Sequence, residues 1–266
     1  MVENELAIRK LVKMAVESYA QGFETRHISE YDDPDGTLNI KIHNVFIAAL
    51  GPEIQYFTAL VRSLDSSLGN MLEKLAINIA ELFFKVSQKV EGPLYPEQTG
   101  FIANILEEYK RRKRKPEIND YNFLRSKIDS TVEIKRHDSD YYLMDETTRD
   151  HYLIELKIGG DLDNKKARAE KEAILEQYAI LSNTLPRKTN IKIYFATAYN
   201  RFGEDKPWKQ ERVKQFFAEE ELLIGKNFWN FICKSNDGYN IVLDEYKRHS
   251  KIIVQSLDNI KKKYLG

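Results

Sequence analysis

The stretch at residues 140–157 reads DYYLMDETTRDHYLIELK and is typical of two short strands joined by a polar turn. Because side chains alternate between the two faces of a strand, Glu155 and Lys157 are expected on the same face. The apolar neighbours of opposite parity are expected to face a core: Ile154, Leu156 and Ile158. Asp140 precedes the turn, so the pattern predicts two carboxylates and an ammonium close together on a sheet.

These three groups suit hydrolysis of a phosphodiester. Mg2+ prefers carboxylate oxygens and keeps several of its waters, one of which can become the nucleophile. Charges beside an apolar strand cost free energy unless they are paired or serve a site. The stretch therefore predicts a metal-dependent nuclease. The alternative is a non-catalytic DNA-binding or interaction module in which Glu155 and Lys157 form an ordinary ion pair.

Composition sets the limits of this interpretation. The chain has 266 residues, 42% of them hydrophobic, which is enough for a substantial globular core. Lys and Arg total 41, as do Asp and Glu, so any site for a polyanion must come from local segregation of charge. A single cysteine, Cys233, is expected to be buried and excludes an internal disulfide. No membrane span is expected, and the composition fits a reducing cytoplasm.

The periodicity of apolar residues predicts a helical first third followed by a mixed α/β region. Helices are expected at about 4–20, 44–64, 68–90 and 97–115, and a crossover helix at about 162–183. Strands are expected from about 130 onward, including the almost fully apolar IKIYFATAY at 191–199. We expect a mainly helical region at 1–116, for dimerisation or clamping DNA, and an α/β catalytic core at 117–266, or one continuous domain.

The crossover helix begins with an unusual density of cations. Lys165, Lys166, Arg168 and Lys171 lie in its first turns, where positive charge opposes the helix dipole unless an anion binds. We therefore expect Asn164, Lys165, Lys166 and Arg168 to contact DNA, although pairing of Lys166 with Glu170 on a solvated face is the alternative. A second basic run begins with Arg111, Arg112 and Lys113 and could follow phosphates, or could simply complement the carboxyl end of its helix.

Asp140 with Glu155-Leu156-Lys157 resembles the PD-(D/E)xK nuclease signature, which is degenerate. The longer segment GGDLDNKKARAEK at 159–171 is more specific and resembles type II restriction endonucleases of the TdeIII-like group. Residues 44–76 and 224–232 also look like that group, so the resemblance covers most of the chain. It implies a central mixed sheet of the restriction-endonuclease-like type with flanking helices.

Carried over to this chain, the resemblance implies Asp140 and Glu155 as metal ligands, with the backbone carbonyl of Leu156 as a third. Lys157 would position the attacking water. The residue before Asp140 is Ser139 where the signature has proline, so Asp138 competes for the role of Asp140. Glu73, on a predicted helix, is a candidate for an extra ligand. The implied cofactor is Mg2+, with Mn2+ as a substitute.

The same resemblance implies hydrolysis of double-stranded DNA at a short palindromic GG/CC-type site (GGNCC-like), leaving 5′-phosphate ends. It also implies a homodimer matching the symmetry of the site, and a cognate DNA methyltransferase that protects a prokaryotic host. The alternative within this fold is a structure-specific nuclease of DNA repair or processing, whose cleavage would follow DNA structure instead of sequence.

Overall fold

The computed structural model describes residues 2–125 and 133–266. Within these ranges the side chains of Val2, Glu133, His137, Asp138 and Asp140 lie outside the description. The chain forms two compact units: Met1–Ile79 together with Asn240–Gly266, and Ala80–Tyr239. Among the described helices, none is long and apolar enough to cross a membrane.

The first unit is helical. It contains α1 (Val2–Ser29), a 3₁₀ turn (Asn39–His43), α2 (Val45–Ala48), most of α3 (Pro52–Ala80), most of α8 (Gly238–His249) and α9 (Lys251–Leu265). On α1 the buried apolar residues recur every three or four positions and form the stripe that packs inward: Ile8, Val12, Val16, Ala20 and Phe23. Phe23, Tyr56, Leu60 and Ile260 join in one core cluster, which ties α1, α3 and α9 together.

The second unit is built on a mixed sheet. Its described strands are β1 (Lys85–Leu94), β2 (Glu133–Met144), β3 (His151–Leu156), β4 (Ile191–Thr197) and β5 (Leu222–Ile224), in spatial order 1-2-3-4-5. The pairs β1–β2 and β2–β3 are antiparallel, whereas β3–β4 and β4–β5 are parallel. The remaining helices are α4 (Pro96–Lys110), α5 (Asn164–Thr184), α6 (Glu211–Lys214) and α7 (Lys226–Ile232). The predicted mixed α/β architecture with flanking helices is confirmed.

The predicted hairpin is also confirmed, and it sets the register of the site. Tyr141 lies opposite Ile154, and Met144 lies opposite His151. The turn between the strands is stabilised by Asp145, whose carboxylate accepts hydrogen bonds from the backbone amides of Thr147 and Thr148 at 2.9 and 3.4 Å. The crossover from β3 to the parallel β4 runs through α5, as the sequence predicted.

Both faces of β3 are covered, so all six of its residues are buried. Leu153 packs in the cluster that includes Ala167 and Ile174 of α5. On the other face, Tyr152 stacks with Tyr194 and meets Phe231 edge-on. A strand enclosed in this way holds its side chains in fixed positions, which is what a site at its end requires.

Three predicted helices were wrong in part. The helix expected over 44–64 is interrupted between α2 and α3, where Gly51 has a φ of +98°. The helix expected over 68–90 is the end of α3, which stops at Ala80. Residues 85–94 form strand β1 instead, because they pair with β2 and bury Val90 and Leu94. The helix expected over 97–115 ends at Lys110. The backbone of Arg112 is left-handed, with φ of 55°, and stops any continuation of the helix.

The division of the chain also differs from the expected boundary at residue 116. Strand β1 and helix α4 belong to the second unit, since β1 forms a ladder with β2 and α4 packs against α5. Residues 240–266 belong to the first unit. A role for the helical region in dimerisation or in clamping DNA stays a prediction.

Candidate active site

Glu155 and Lys157 lie together at the carboxyl end of β3. Glu155 is 8% exposed, and the ammonium of Lys157 forms an ion pair with its carboxylate. The amide of Lys157 donates a hydrogen bond to the carbonyl of Ala196 on β4 at 3.0 Å, which continues the ladder one residue beyond the strand. The predicted placement of both side chains on one face is therefore confirmed. Ile154 and Leu156 are buried, as expected, whereas Ile158 is only half-buried.

A third charged group joins this pair from the crossover helix. The carboxylate of Glu170 on α5 lies 3.3 Å from the ammonium of Lys157. Glu170 lies three residues after Ala167 and four before Ile174, both of which are buried, so it belongs to the face of α5 that looks onto the sheet. Lys157 thus stands between two carboxylates, one from the strand and one from the helix.

The turn after β3 brings α5 back over the sheet. Gly160 has a φ of +64°, and a β-carbon there would lie 2.6 Å from a methyl carbon of Thr197. A β-carbon on Gly159 would lie 2.7 Å from the hydroxyl of Tyr199. Asp161 follows, and the guanidinium of Arg201 lowers the pKa of its carboxyl by a hydrogen bond. Gly160 is therefore required by its left-handed backbone and by close packing against β4, whereas the exposed side chain of Tyr199 can move away from a substituent at Gly159.

Helix α5 begins with exposed polar side chains. Asp163 is its N-cap, and its carboxylate accepts a hydrogen bond from the amide of Lys166 at 2.8 Å. Asn164, Lys165 and Lys166 are exposed at this end of the helix. Arg168 is half-buried and points to α4, where its guanidinium lies 3.6 Å from the carboxylate of Glu107. The first three residues are available to an anion, while Arg168 already has an acidic partner.

Lys171 does not share the exposed basic surface expected for the first turns of α5. It is fully buried, and its ammonium donates to the carboxylate of Glu221 at 2.7 Å and to the hydroxyl of Tyr121 at 2.6 Å. The ammonium also lies 4.5 Å from the ring centres of Tyr121 and Phe217. Desolvation lowers the pKa of Lys171, against the opposing effect of Glu221. Lys171 is thus a core residue and not part of the exposed cationic surface.

The other predicted residues belong to other elements, and the side chains of two of them lie outside the description. Asp140 is in β2, and its neighbour Tyr141 lies opposite Ile154, which precedes Glu155. The side chains of Asp138 and Asp140 are outside the described residues. Glu73 is half-buried on α3, in the first unit. Arg111, Arg112 and Lys113 are exposed after α4, and Arg111 pairs with Glu107 at 2.8 Å.

The described part of the site fits a hard divalent cation in the chemistry of its donors. The carboxylates of Glu155 and Glu170 offer oxygen ligands, the kind that Mg2+ and Mn2+ bind. Among described residues, no group of three His, Cys, Asp or Glu side chains forms a metal cluster.

The contribution of Glu170 was missed from sequence, where it was considered only as a surface partner of Lys166. The signal was present in the helical spacing, because Glu170 falls on the stripe defined by Ala167, Ile174 and Tyr178. An acid on the buried stripe of a helix needs a cationic partner. Lys157 supplies that partner at 3.3 Å.

Comparison with protein-family models matches residues 4–250 to the family described as "Type II restriction endonuclease, HinfI". The chain belongs to this HinfI family. It is therefore a type II restriction endonuclease, a site-specific enzyme that binds and cuts double-stranded DNA. Enzymes of this class generally use divalent metal ions. No curated protein and no solved structure gives a significant match.

Membership of the HinfI family confirms the prediction of a restriction endonuclease and favours it over a repair nuclease or a non-catalytic module. The narrower resemblance to the TdeIII-like group stays a prediction. Because the family match covers both units of the chain, the helical first unit is part of the enzyme's architecture.

Proposed function

We propose that this HinfI-family enzyme hydrolyses DNA with a Mg2+-dependent centre formed by Asp140, Glu155 and Lys157. The observation that carries the proposal is the ion-pair cluster at the end of β3, where the buried Glu155 carboxylate contacts the ammonium of Lys157. Asp140 and Glu155 would hold the metal, with the Leu156 carbonyl as a third ligand and Asp138 as a further candidate. Mn2+ is expected to substitute for Mg2+.

When bound, the metal supplies a Lewis acid and lowers the pKa of a water molecule. The ammonium of Lys157 orients that water and offsets the negative charge that develops on the phosphate. Glu155 and Glu170 hold the ammonium from two sides, which fixes its direction before DNA arrives. The expected products carry 5′-phosphate and 3′-hydroxyl ends.

DNA contact is proposed for the exposed start of α5. Asn164, Lys165 and Lys166 present an amide and two ammonium groups near the helix N-terminus, where backbone dipoles also favour phosphate. Lys side chains also suit the acceptors of guanine in the major groove. Arg168 could join them by leaving Glu107, and the basic residues from Arg111 to Lys113 could extend the contact. The palindromic GG/CC-type recognition site is proposed on the TdeIII-like resemblance alone.

We further propose a homodimer, because a two-fold symmetric enzyme matches a palindromic site and delivers one centre to each strand. A cognate methyltransferase is the expected functional partner, since a host must protect its own copies of the site. The cytoplasm of a prokaryote, where the host DNA lies, is the proposed location.

The test is cleavage of plasmid DNA with Mg2+ by the wild-type protein and by the Lys157→Ala, Glu155→Gln and Asp140→Ala variants. Discrete fragments from the wild type and a loss of activity of about a thousandfold or more in each variant are expected. Lys192→Ala is the matched control, because Lys192 pairs with Asp150 at 3.4 Å, near the amino end of β4. Full activity in Lys157→Ala would refute the proposed centre, and sequencing of the cut ends would define the site.

A further inference from the structure

An arginine, an aspartate and a glutamine form a hydrogen-bonded group beside the turn that follows β3. The closest contact between Arg201 and Asp161 joins Nη1 of the guanidinium to one carboxylate oxygen at 2.7 Å. The side-chain amide of Gln210 donates to the other carboxylate oxygen at 3.1 Å. Asp161 follows Lys157 by four residues, and α5 begins three residues later. The group therefore lies between the reacting residues of β3 and the exposed start of α5.

The ion pair of this group is too exposed to contribute much to the stability of the fold. The side chains of Arg201 and Asp161 are 37% and 64% exposed. Ion pairs at such positions typically contribute less than about 1 kcal/mol, because water and salt screen the charges and both side chains lose conformational freedom. What the pair does achieve is to hold a guanidinium in one orientation at a surface that a ligand can reach.

The loop that carries Arg201 is tied down by hydrogen bonds on both sides of it. The buried side chain of Asn200 donates to the backbone carbonyl of Lys206 at 2.7 Å, which closes the loop. The carboxylate of Glu204 accepts from the backbone amides of Asn200 and Lys226 at 2.7 and 2.9 Å, which fixes the loop to the start of α7. A loop held in this way places Arg201 reproducibly, as a residue that recognises a ligand requires.

The same loop lies at the edge of the sheet where the reacting groups are found. Strands β3 and β4 are parallel, so their carboxyl ends meet at one edge. Glu155 and Lys157 lie at the end of β3, and Arg201 follows the end of β4 by four residues. A duplex whose phosphate reaches Lys157 therefore passes along the edge that presents Arg201.

We infer that Arg201 recognises a guanine of the target site from the major groove, and that Asp161 is its positioning residue. Guanine presents two acceptors there, O6 and N7, which match the planar fork of a guanidinium. A carboxylate occupies one edge of the guanidinium, and the five N–H groups of an arginine leave further donors for the base. The charge of Asp161 also repels phosphate, which favours a base edge over the DNA backbone. The inference rests on the proposed function in placing the duplex at this edge.

The experiment selects duplexes from a pool of randomised sequence and sequences the bound fraction, without metal and with Ca2+. Cleavage is not required, so a failure of the proposed catalytic residues does not affect the result. Arg201→Lys should abolish the preference for a G·C pair at one position of the selected site. The ratio of affinities for selected and scrambled duplexes should fall about tenfold or more, because lysine keeps the charge and lacks the fork. Arg187→Lys, at an exposed position before β4, is the matched control.

Asp161→Asn tests the positioning role separately. It should weaken the same G·C preference while raising the affinity for scrambled duplex, because it loosens Arg201 and removes a negative charge; a purely structural role predicts no such rise. In the Arg201→Lys background it should not change the preference further. Circular dichroism checks the fold of each variant.

Three outcomes overturn the inference. One is a G·C preference that Arg201→Lys leaves intact. Another is a loss of affinity in Arg201→Ala that is equal for all sequences and restored by Arg201→Lys, which would assign Arg201 to a phosphate. The third is a wild type that selects no sequence, with or without Ca2+.

Discussion

At the scale of single residues, the position of Lys157 bears most directly on the chemistry of the enzyme. The two carboxylates that flank its ammonium fix the direction of the group, so it can orient a water molecule. The strand supplies one carboxylate, Glu155, and the helix supplies the other, Glu170. We therefore expect the two acids to differ in importance, with Glu155 at the metal and Glu170 as a positioning residue behind Lys157.

Glu170→Gln tests this division of labour. The variant keeps the size of the side chain and removes the charge that holds Lys157, so kcat should fall about tenfold while KM changes little. In the Lys157→Ala background the same substitution should cost nothing more, since its effect acts through Lys157. Single-turnover cleavage of a duplex measures the effect of Glu170→Gln in the wild type and in the Lys157→Ala background. Glu172→Gln, two residues along α5, is the control, and an equal loss there would contradict the role of Glu170.

Lys171 shows that neighbouring residues of similar type can have unrelated roles. Lys165 and Lys166 are exposed, while Lys171 is enclosed by Glu221, Tyr121 and Phe217. The helical period separates them, because a displacement of five or six positions moves a side chain from the solvated face to the face packed on the core. A burial prediction made from charge alone therefore fails at Lys171.

At the scale of elements, the connection from β3 to α5 determines how strand and helix meet. Gly160→Ala should destabilise the protein by roughly 1–3 kcal/mol, because an L-residue is strained at a φ of +64° and its β-carbon would lie 2.6 Å from Thr197. Urea unfolding measures the loss. Gly100→Ala on α4 is the matched control: nothing lies within 4 Å of its β-carbon, and helix propensity predicts a gain of up to about 1 kcal/mol.

The exposed residues at the start of α5 lead to a separate prediction about DNA affinity. If Lys165 and Lys166 bind phosphates, Lys165→Ala with Lys166→Ala should reduce the dependence of log K on log salt by roughly one to two units. Arg187→Ala with Lys188→Ala changes the net charge equally, at exposed positions after α5. Fluorescence anisotropy with a labelled duplex, metal withheld, compares the two. Equal salt slopes for both double variants would show that the start of α5 does not contact phosphate.

Much of the α/β unit could be predicted from sequence because its signals are local. The hairpin, the buried strand at 151–156, and the start of α5 each have strong periodicity or an Asp cap. Strand β1 could not be recognised, since its short alternating run followed a helical pattern and its partner β2 lies about 40 residues away. Glu170 was missed for a related reason, because contact with Lys157 depends on how α5 lies over the sheet.

At the scale of the whole molecule, acid should destabilise the helical unit through a buried histidine. His27 on α1 is fully buried in the helical unit, and its ring lies 3.0 Å from the hydroxyl of Ser63 on α3. Desolvation, reinforced by the charge of Arg26, lowers the pKa of His27 to about 4. The folded state therefore binds this proton at a lower pH than the unfolded state does. The free energy of unfolding consequently falls as the pH drops from about 6.5 toward 4.

His27→Gln is expected to lose part of this acid sensitivity. The wild type should lose on the order of 3 kcal/mol of unfolding free energy between neutral pH and about pH 4 through this residue alone. Urea unfolding across that pH range, followed by a signal from the helical unit, measures the difference. His43→Gln at an exposed position should leave the profile unchanged. Identical profiles for the wild type and His27→Gln would exclude His27 as the source.

The ends of the sheet have a consequence for how this protein behaves at high concentration. Within the described chain, β1 is the strand at one edge of the sheet. It carries Pro93, a shift of register between Ser87 and Lys89, and exposed lysines. The strand at the other edge, β5, is only three residues long. Proline, charge and brevity each discourage another backbone from adding to a ladder. Concentrated solutions should consequently resist fibre growth, and any precipitate should keep its native infrared amide signature.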